Sequence, residues 1–276
     1  MSVVYRELAL DSCTIAWQET DGAGTAVVLL HGNSSSSEIF RHQLHGRLGQ
    51  KYRLLAPDLP GHGRSSDAAD PLGTYSLAGY AAVVSRVLAE LALPKLVVVG
   101  HSLGGHIMLR AMGGLENLAG AMIFGAPPLS GNTECFASAF RPHPGAGLLF
   151  KGALSEDEVR GFGALVFDQI ADIPAFAYDD IRRTDPHARE QLGASLQAGD
   201  YGDETRIIAD SPLPLAVLHG ERDGLINGDY VSSLDYRQLW QGRMVTFPGC
   251  GHSPHWQAPD VFDETLDTFV TCCTEQ

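Results

Sequence analysis

One stretch decides the fold: Val97-Val98-Val99-Gly100-His101-Ser102-Leu103-Gly104-Gly105-His106. Its first residues are apolar and β-branched, as in a strand that is buried on both faces of a sheet. The pattern G-x-S-x-G follows at once and leads into a predicted helix. A strand–turn–helix around this pattern is the context of a nucleophile elbow, a tight turn that exposes a serine hydroxyl. The stretch therefore predicts alternating strands and helices and a reactive Ser102.

Short apolar runs that end in glycine or proline recur on both sides of this turn. We predict strands at residues 26–30, 52–56, 96–99, 121–124, 215–218 and 243–247, preceded by a hairpin of residues 3–8 and 14–18. Apolar residues at helical spacing lie between these runs, notably at 75–91 and in a last helix that we expect Asp260 to cap. Alternating strands and helices predict the α/β class, with a mostly parallel, doubly wound sheet.

The alternation stops in residues 128–210, where we predict helices and no strong strand. Ser155-Glu156-Asp157-Glu158 is typical of a capping box, and Asp185-Pro186 of an N-cap followed by proline in the first turn. We therefore expect residues 1–127 and 211–276 to form a core domain. Residues 128–210 form a helical cap, inserted over the edge of the sheet where its parallel strands end.

The charge balance excludes several classes of partner. Of the 276 residues, 19 are Lys or Arg and 33 are Asp or Glu, so the formal net charge is −14. Such a surface repels phosphates and anionic lipids, and we expect no nucleic acid or membrane partner. The first residues carry charges at Arg6, Glu7 and Asp11, unlike a signal peptide. Five irregularly spaced cysteines indicate reduced thiols and a cytoplasmic location.

A serine hydroxyl needs a general base, and the base needs a carboxylate to orient it. After a nucleophile elbow, the acid and then the histidine follow in chain order. Asp223 comes soon after the predicted strand at 215–218, and His252 follows the last strand in a glycine-rich loop. We predict Ser102 as nucleophile, His252 as base and Asp223 as the orienting acid.

Alternatives remain open for both partners of the serine. His255 lies three residues after His252, and Glu221 and Asp229 are the rivals of Asp223. Cys250 is also close to His252 in sequence, but no base is arranged for it. We interpret Cys250 as a buried thiol without a catalytic role.

Negative charge that develops on a carbonyl oxygen must meet fixed hydrogen-bond donors. We expect these to be the backbone N–H groups of Leu103, directly after the nucleophile, and of Asn33, in the loop after the strand at 26–30. The predicted substrate-binding residues are Asn33, Ser34, His101, Phe136, Phe140 and Phe162. No metal or cofactor is predicted, because the sequence lacks clustered ligands such as H-x-H-x-D-H.

Four motifs together resemble the α/β-hydrolase superfamily: H-G-N at 31–33, D-L-P-G-H-G-R-S at 58–65, G-H-S-L-G-G at 100–105 and G-x-G-H at 249–252. We interpret residues 58–65 as a structural loop. With Gly125-Ala126-Pro127-Pro128, the chain most resembles the α/β-hydrolase type of N-acyl homoserine lactone lactonase and its esterase relatives. The resemblance implies an α/β-hydrolase fold. One departure is Phe162, where these relatives carry a tyrosine whose hydroxyl could touch the substrate.

The resemblance also implies a function, which is the opening of the ester bond of a small acyl lactone through a serine acyl-enzyme, as in quorum quenching. The expected partner is that acyl lactone or ester, and the expected state is a monomer or weak homodimer. Three alternatives stay open: a general carboxylesterase, an enol-lactone or C–C bond hydrolase, and a non-catalytic receptor for a small lactone. Apolar cap residues could line a tunnel for an alkyl chain or pack against each other.

Overall fold

The computed structural model describes residues 2–275. Within them an eight-stranded sheet has the order β1-β2-β4-β3-β5-β6-β7-β8. The strands are β1 (Val3–Ala9), β2 (Thr14–Thr20), β3 (Ala26–Leu30), β4 (Arg53–Pro57), β5 (Leu96–His101), β6 (Leu118–Phe124), β7 (Leu215–Gly220) and β8 (Val245–Phe247). The pairs β1–β2 and β2–β4 are antiparallel, and the other neighbours are parallel. The predicted α/β class and mostly parallel sheet are confirmed.

Strand boundaries differ from the prediction by a few residues. The last strand is shorter than residues 243–247, because the chain before it turns through a 3-10 helix at Trp240–Gly242. Gln241 and Gly242 have positive φ angles there, and such a backbone cannot pair as a strand. Strand β6 begins earlier than predicted, at Leu118, on the far side of Gly120.

Thirteen α-helices are present in the described residues. They are α1 (Arg41–His45), α2 (Arg47–Lys51), α3 (Pro71–Thr74), α4 (Leu77–Leu91), α5 (Leu103–Ala111), α6 (Thr133–Ala139), α7 (Glu156–Val166), α8 (Ala175–Arg183), α9 (Pro186–Gln197), α10 (Glu204–Asp210), α11 (Gly228–Ser233), α12 (Pro254–Gln257) and α13 (Pro259–Thr274). None of the helices within residues 2–275 combines the length and apolarity that crossing a bilayer requires.

The start of the last helix corrects one prediction. Helix α13 begins at Pro259, and its N-cap is Ala258, so the expectation that Asp260 caps it is wrong. Proline fits the first helical position, since the N–H group that it lacks would have no partner there. Asp260 lies in the first turn instead, where a negative charge is favourable near the helix N-terminus.

The sheet separates two hydrophobic clusters, one on each face. In β3, Val27 and Leu29 belong to one cluster, together with Phe262 and Phe269 of α13. Ala26, Val28 and Leu30 belong to the other cluster, which includes residues of α4 and α5. Successive side chains of a strand point to opposite faces, so each apolar strand supplies both clusters. This double burial explains why the strand sequences are continuous apolar runs.

The insertion, which we define as residues 128–210, contains helices α6 to α10 and no strand among its described residues. Ser155 and Glu158 form the predicted capping box at the start of α7, and Asp185 caps α9 with Pro186 in the first turn. Phe162, on α7, is fully buried against Val159 and Ile181 in a small cluster. The division of the chain at residues 127/128 and 210/211 stays a prediction.

Truncation of Phe162 tests how strongly this cluster stabilises the insertion. Phe162→Ala is expected to lower the free energy of unfolding by about 3–5 kcal/mol, because a fully buried ring leaves a cavity. Leu72→Ala is the control: Leu72 is 74% exposed, and its loss is expected to change stability by less than about 0.5 kcal/mol. Urea unfolding followed by circular dichroism measures both. Equal stability of the two variants would contradict the packing described.

Candidate active site

Ser102 lies in the sharp turn between β5 and α5. Its backbone has φ 52° and ψ −119°, a conformation that residues other than glycine rarely adopt. The Ser102 N–H group donates to the carbonyl oxygen of Phe124 at 2.8 Å, which fixes the turn against β6. A side chain at Gly104 would collide with the carbonyl oxygen of Leu30. The glycine of the motif therefore allows the turn to approach strand β3 closely.

Asp223 and His252 form a buried pair beyond the ends of β7 and β8. His252 Nδ1 lies 3.0 Å from Asp223 Oδ2. The second carboxylate oxygen, Oδ1, accepts the backbone N–H groups of Leu225 at 2.9 Å and Ile226 at 3.1 Å. Both oxygens of Asp223 are thus engaged. Because Nδ1 donates its proton to the carboxylate, Nε2 is the nitrogen that can accept a proton.

The electrostatics of the pair favour opposite charges on its two members. Burial alone would lower the pKa of His252, but the Asp223 carboxylate raises that pKa above its usual value. Burial would raise the pKa of Asp223, but His252 and the two N–H groups hold that pKa below its usual value. Asp223 is therefore ionised at neutral pH, and His252 is a stronger base than a free imidazole.

The rival residues lie elsewhere. His255 is fully buried against the rings of Phe40 and Phe124, and burial lowers its pKa to about 3. Glu221 and Asp229 are both exposed at the surface. None of the three lines the cavity that contains Ser102. The geometry thus favours His252 and Asp223 as the partners of the serine.

A second candidate nucleophile beside His252 is disfavoured. Cys250 is buried, and burial raises the pKa of its thiol. A thiol that is kept protonated is a weak nucleophile.

Leu103 and Asn33, which carry the two expected oxyanion donors, line the same cavity as Ser102. Leu103 is the first residue of α5, and the first N–H groups of a helix have no acceptor within the helix. Asn33 follows β3, and its side chain is engaged with neighbours. Asn33 Nδ2 donates to the carbonyl oxygen of Leu149 at 2.7 Å, and Oδ1 accepts the hydroxyl of Ser34 at 3.0 Å. The backbone N–H of Asn33 is the remaining candidate donor.

The structure separates the predicted substrate-binding residues into two groups. Asn33, His101, Phe136 and Phe140 line the cavity. Ser34 and Phe162 do not. Ser34 is buried in its loop, and Phe162 packs in the core of the insertion because it lies on the face of α7 turned toward α8.

His101, the residue directly before Ser102, is buried in the cavity wall. Its ring packs against Phe124, and its Nε2–H donates to the carbonyl oxygen of His252 at 3.1 Å. Burial lowers the pKa of His101 well below its usual value, so the ring is neutral. A neutral donor at this position helps to hold the His252 backbone without adding charge to the site.

The cavity has a volume of about 140 Å³ and lies between the sheet and the insertion. Ser102 and His252 stand at its polar part. Its apolar wall consists of Leu77, Leu103, Leu129, Phe136, Phe140, Ala146, Leu149, Phe150, Val166, Leu192, Leu196, Leu225 and Ile226. Such a wall suits an alkyl or acyl group whose carbonyl lies beside the serine. Among residues 2–275, no group of three or more His, Cys, Asp and Glu side chains is arranged to hold a metal ion.

Three polar residues at this site, His106, Arg141 and Asp168, were not predicted from the sequence. His106 lines the cavity one helical turn after Ser102, and its Nδ1 lies 2.8 Å from an oxygen of the buried Glu204. The spacing of four residues from Ser102 was a signal for a shared helix face. Asp168 contacts the backbone of His252, and no motif surrounds it in the sequence.

The sequence is similar to a known protein family and to several known enzymes. The sequence model of the Alpha/beta hydrolase family matches residues 27–265. The pimeloyl-[acyl-carrier protein] methyl ester esterase of Pectobacterium carotovorum is 29% identical over 271 residues, covering 93% of this chain and 98% of that protein. The enzyme of the same name from Nitrosomonas europaea is 26% identical over 261 residues, covering 90% and 97%.

Solved structures agree with the whole fold, including the insertion. N-acyl homoserine lactonase AidH complexed with N-butanoyl homoserine has a TM-score of 0.94 and 36% identity, covering 99% of this chain and 98% of that chain. A mutant of AidH complexed with N-hexanoyl homoserine has a TM-score of 0.95 and 35% identity, covering 100% and 98%. From the family match and these relatives, the chain belongs to the alpha/beta hydrolase family and is an enzyme of the hydrolase and esterase type.

Proposed function

We propose that the enzyme opens the ester bond of an N-acyl homoserine lactone, with Ser102 as nucleophile, His252 as general base and Asp223 as the orienting acid. The observation that carries the proposal is the likeness to AidH over 99% or more of this chain, insertion included. AidH is complexed with N-acyl homoserines, the ring-opened form of such lactones. The apolar cavity beside Ser102 supports a substrate with an acyl chain.

The first half of the reaction forms an acyl-enzyme. Ser102 Oγ attacks the lactone carbonyl carbon while His252 Nε2 takes the hydroxyl proton. The carbonyl oxygen becomes an oxyanion, which the N–H groups of Leu103 and Asn33 stabilise. The ring C–O bond then breaks, and His252 returns the proton to the leaving oxygen. The new hydroxyl stays attached to the acyl group, because both belonged to one ring.

The second half releases the product. His252 removes a proton from water, and the hydroxide attacks the carbonyl carbon of the ester on Ser102. The bond to Ser102 Oγ breaks, His252 protonates Oγ, and the N-acyl homoserine is released as a carboxylic acid, which loses its proton to solvent. Asp223 remains ionised and stabilises the imidazolium in both halves, at the 3.0 Å contact with Nδ1.

A general carboxylesterase acting on short acyl esters is the second candidate. The methyl ester esterases of Pectobacterium and Nitrosomonas favour it, at 29% and 26% identity. The same triad and cavity would serve both reactions, so a direct comparison of substrates separates them.

Mass spectrometry after incubation with N-butanoyl and N-hexanoyl homoserine lactone tests the proposal. The expected product has gained one water and recloses to the lactone in acid, because a free hydroxyl and a carboxyl group remain in one molecule. Free homoserine lactone would indicate amide cleavage and overturn the proposal. Turnover of p-nitrophenyl butyrate with both lactones left intact would favour the carboxylesterase instead.

Replacement of the nucleophile is expected to abolish turnover. Ser102→Ala should lower kcat at least about 10⁴-fold, because no acyl-enzyme can form. Ser138→Ala is the matched control on an exposed face of the insertion, and it should keep the wild-type rate. Hydrolysis of p-nitrophenyl butyrate measures both variants. A Ser102→Ala rate near that of the control would contradict the assignment.

The pH dependence follows from the state of the base. Neutral His252 accepts the serine proton, and protonated His252 cannot, so kcat/KM should fall as pH drops through the His252 pKa. The Asp223 carboxylate raises this pKa, and the midpoint of the acid limb should therefore lie above about 6.5, the value of an ordinary histidine. Initial rates with p-nitrophenyl butyrate between pH 5 and pH 9 provide the profile. A midpoint well below the ordinary value would argue against the raised pKa.

A further inference from the structure

Asp168 connects the insertion to both loops that carry the base and the acid. It follows helix α7 and is partly buried. Its Oδ1 accepts the backbone N–H of His252 at 2.5 Å, and its Oδ2 accepts the backbone N–H of Gly224 at 3.0 Å. Gly224 is the residue directly after Asp223. A single carboxylate from the insertion thus binds both the His252 segment and the segment next to Asp223, the two segments that must meet for His252 to be oriented.

The surrounding contacts hold Asp168 in this position. Gln257 Nε2 donates to the carbonyl oxygen of Asp168 at 3.0 Å, while Gln257 Oε1 accepts the N–H of Gly251 at 2.8 Å. The Ser253 hydroxyl donates to the carbonyl oxygen of Val166 at 2.7 Å. A side chain at Gly251 would collide with the Asp168 carboxylate, so the glycine permits this close approach. The end of α7 and the His252 loop are therefore joined at several points.

We propose that Asp168 is a positioning residue that sets the geometry of the His252–Asp223 pair from the insertion. The proposal rests on the proposed function of Ser102, His252 and Asp223. It follows from the placement of the hydrogen bonds, because they fix the backbone of His252 and the backbone next to Asp223 relative to each other. Displacement of a catalytic group by about 1 Å can cost about 100-fold in rate.

Asp168 also acts on His252 through its charge. Burial, which lowers the pKa of His252, is the largest single effect on that pKa. Asp223 raises the same pKa, and Asp168 raises it by a smaller amount. The groups that face His252 are Asp223, Asp168, His101, His219 and His255. Burial lowers the pKa of each of these three histidines, so they are neutral near pH 7. The two carboxylates therefore supply the charge that His252 experiences, and removal of either charge should lower its pKa.

Two variants of Asp168 and one matched control test the proposal. Asp168→Asn keeps the shape and one acceptor oxygen but presents an amide N–H to one of the two backbone donors. Asp168→Ala removes both acceptors. Asp172→Asn makes the same charge change four residues further along the chain, where the side chain is exposed. kcat and KM for p-nitrophenyl butyrate are measured across pH, after Ser102→Ala has shown that the activity depends on the serine.

We expect kcat to fall about 10-fold in Asp168→Asn and about 100-fold in Asp168→Ala, with little change in KM, because chemistry and not binding depends on the pair. The acid limb of the Asp168→Asn profile should move to lower pH, since the charge that favours protonated His252 is gone. Asp172→Asn should match the wild type in both respects. A purely structural role of Asp168 would change thermal stability but would not move the pH profile.

The contrary outcomes are equally specific. The positioning role is overturned if folded Asp168→Asn keeps either the wild-type kcat or the wild-type pH profile, or if KM rises while kcat stays unchanged. Should Asp168→Ala fail to fold, the Asp168→Asn profile decides. An active Ser102→Ala variant would instead overturn the proposed function itself, so the two failures are distinguishable.

Discussion

The turn between β5 and α5 holds Ser102 at a φ of 52°, and the geometry of the site depends on this strained residue. Such a conformation costs on the order of 1–3 kcal/mol and persists only where the surroundings determine it. Here the surroundings are the fully buried strand β5 and the hydrogen bond from Ser102 to Phe124. The same turn places the N-terminus of α5, with the Leu103 N–H, beside Ser102. One short segment therefore provides the strained backbone of Ser102, the buried strand that supports it and the position of the Leu103 N–H.

The proposed partners of Ser102 depend on a different kind of constraint, because they come from loops that are distant in sequence. The insertion contacts each of these loops. Leu149 accepts a hydrogen bond from Asn33 in the loop after β3, and Asp168 accepts hydrogen bonds from His252 and from Gly224, the residue after Asp223. The insertion is thus a wall of the cavity and also a support for the loops around it.

These two kinds of constraint explain what the sequence could predict. Ser102 lies in a contiguous motif, and the buried strands appear as apolar runs, so the fold class followed from local patterns. The contact between His252 and Asp223 was predictable because loops after parallel strands meet at one edge of the sheet. Asp168 was not identifiable, since its partners lie 56 and 84 residues away and no local pattern marks it. Phe162 shows the same limit, because an apolar residue of α7 can face either the cavity or α8.

The positions of polar and apolar residues in the cavity indicate which part of a substrate each region can contact. The polar groups gather around Ser102 and His252, and the wall is otherwise mostly leucine and phenylalanine, apart from His106 and Arg141. An apolar chain gains about 0.8 kcal/mol for each CH₂ group that it buries, and this gain does not depend on the leaving group. Tail burial therefore contributes to binding lactones and open-chain esters alike. Under the proposed function, discrimination between them would therefore arise at the polar end of the cavity, beside Ser102 and His252.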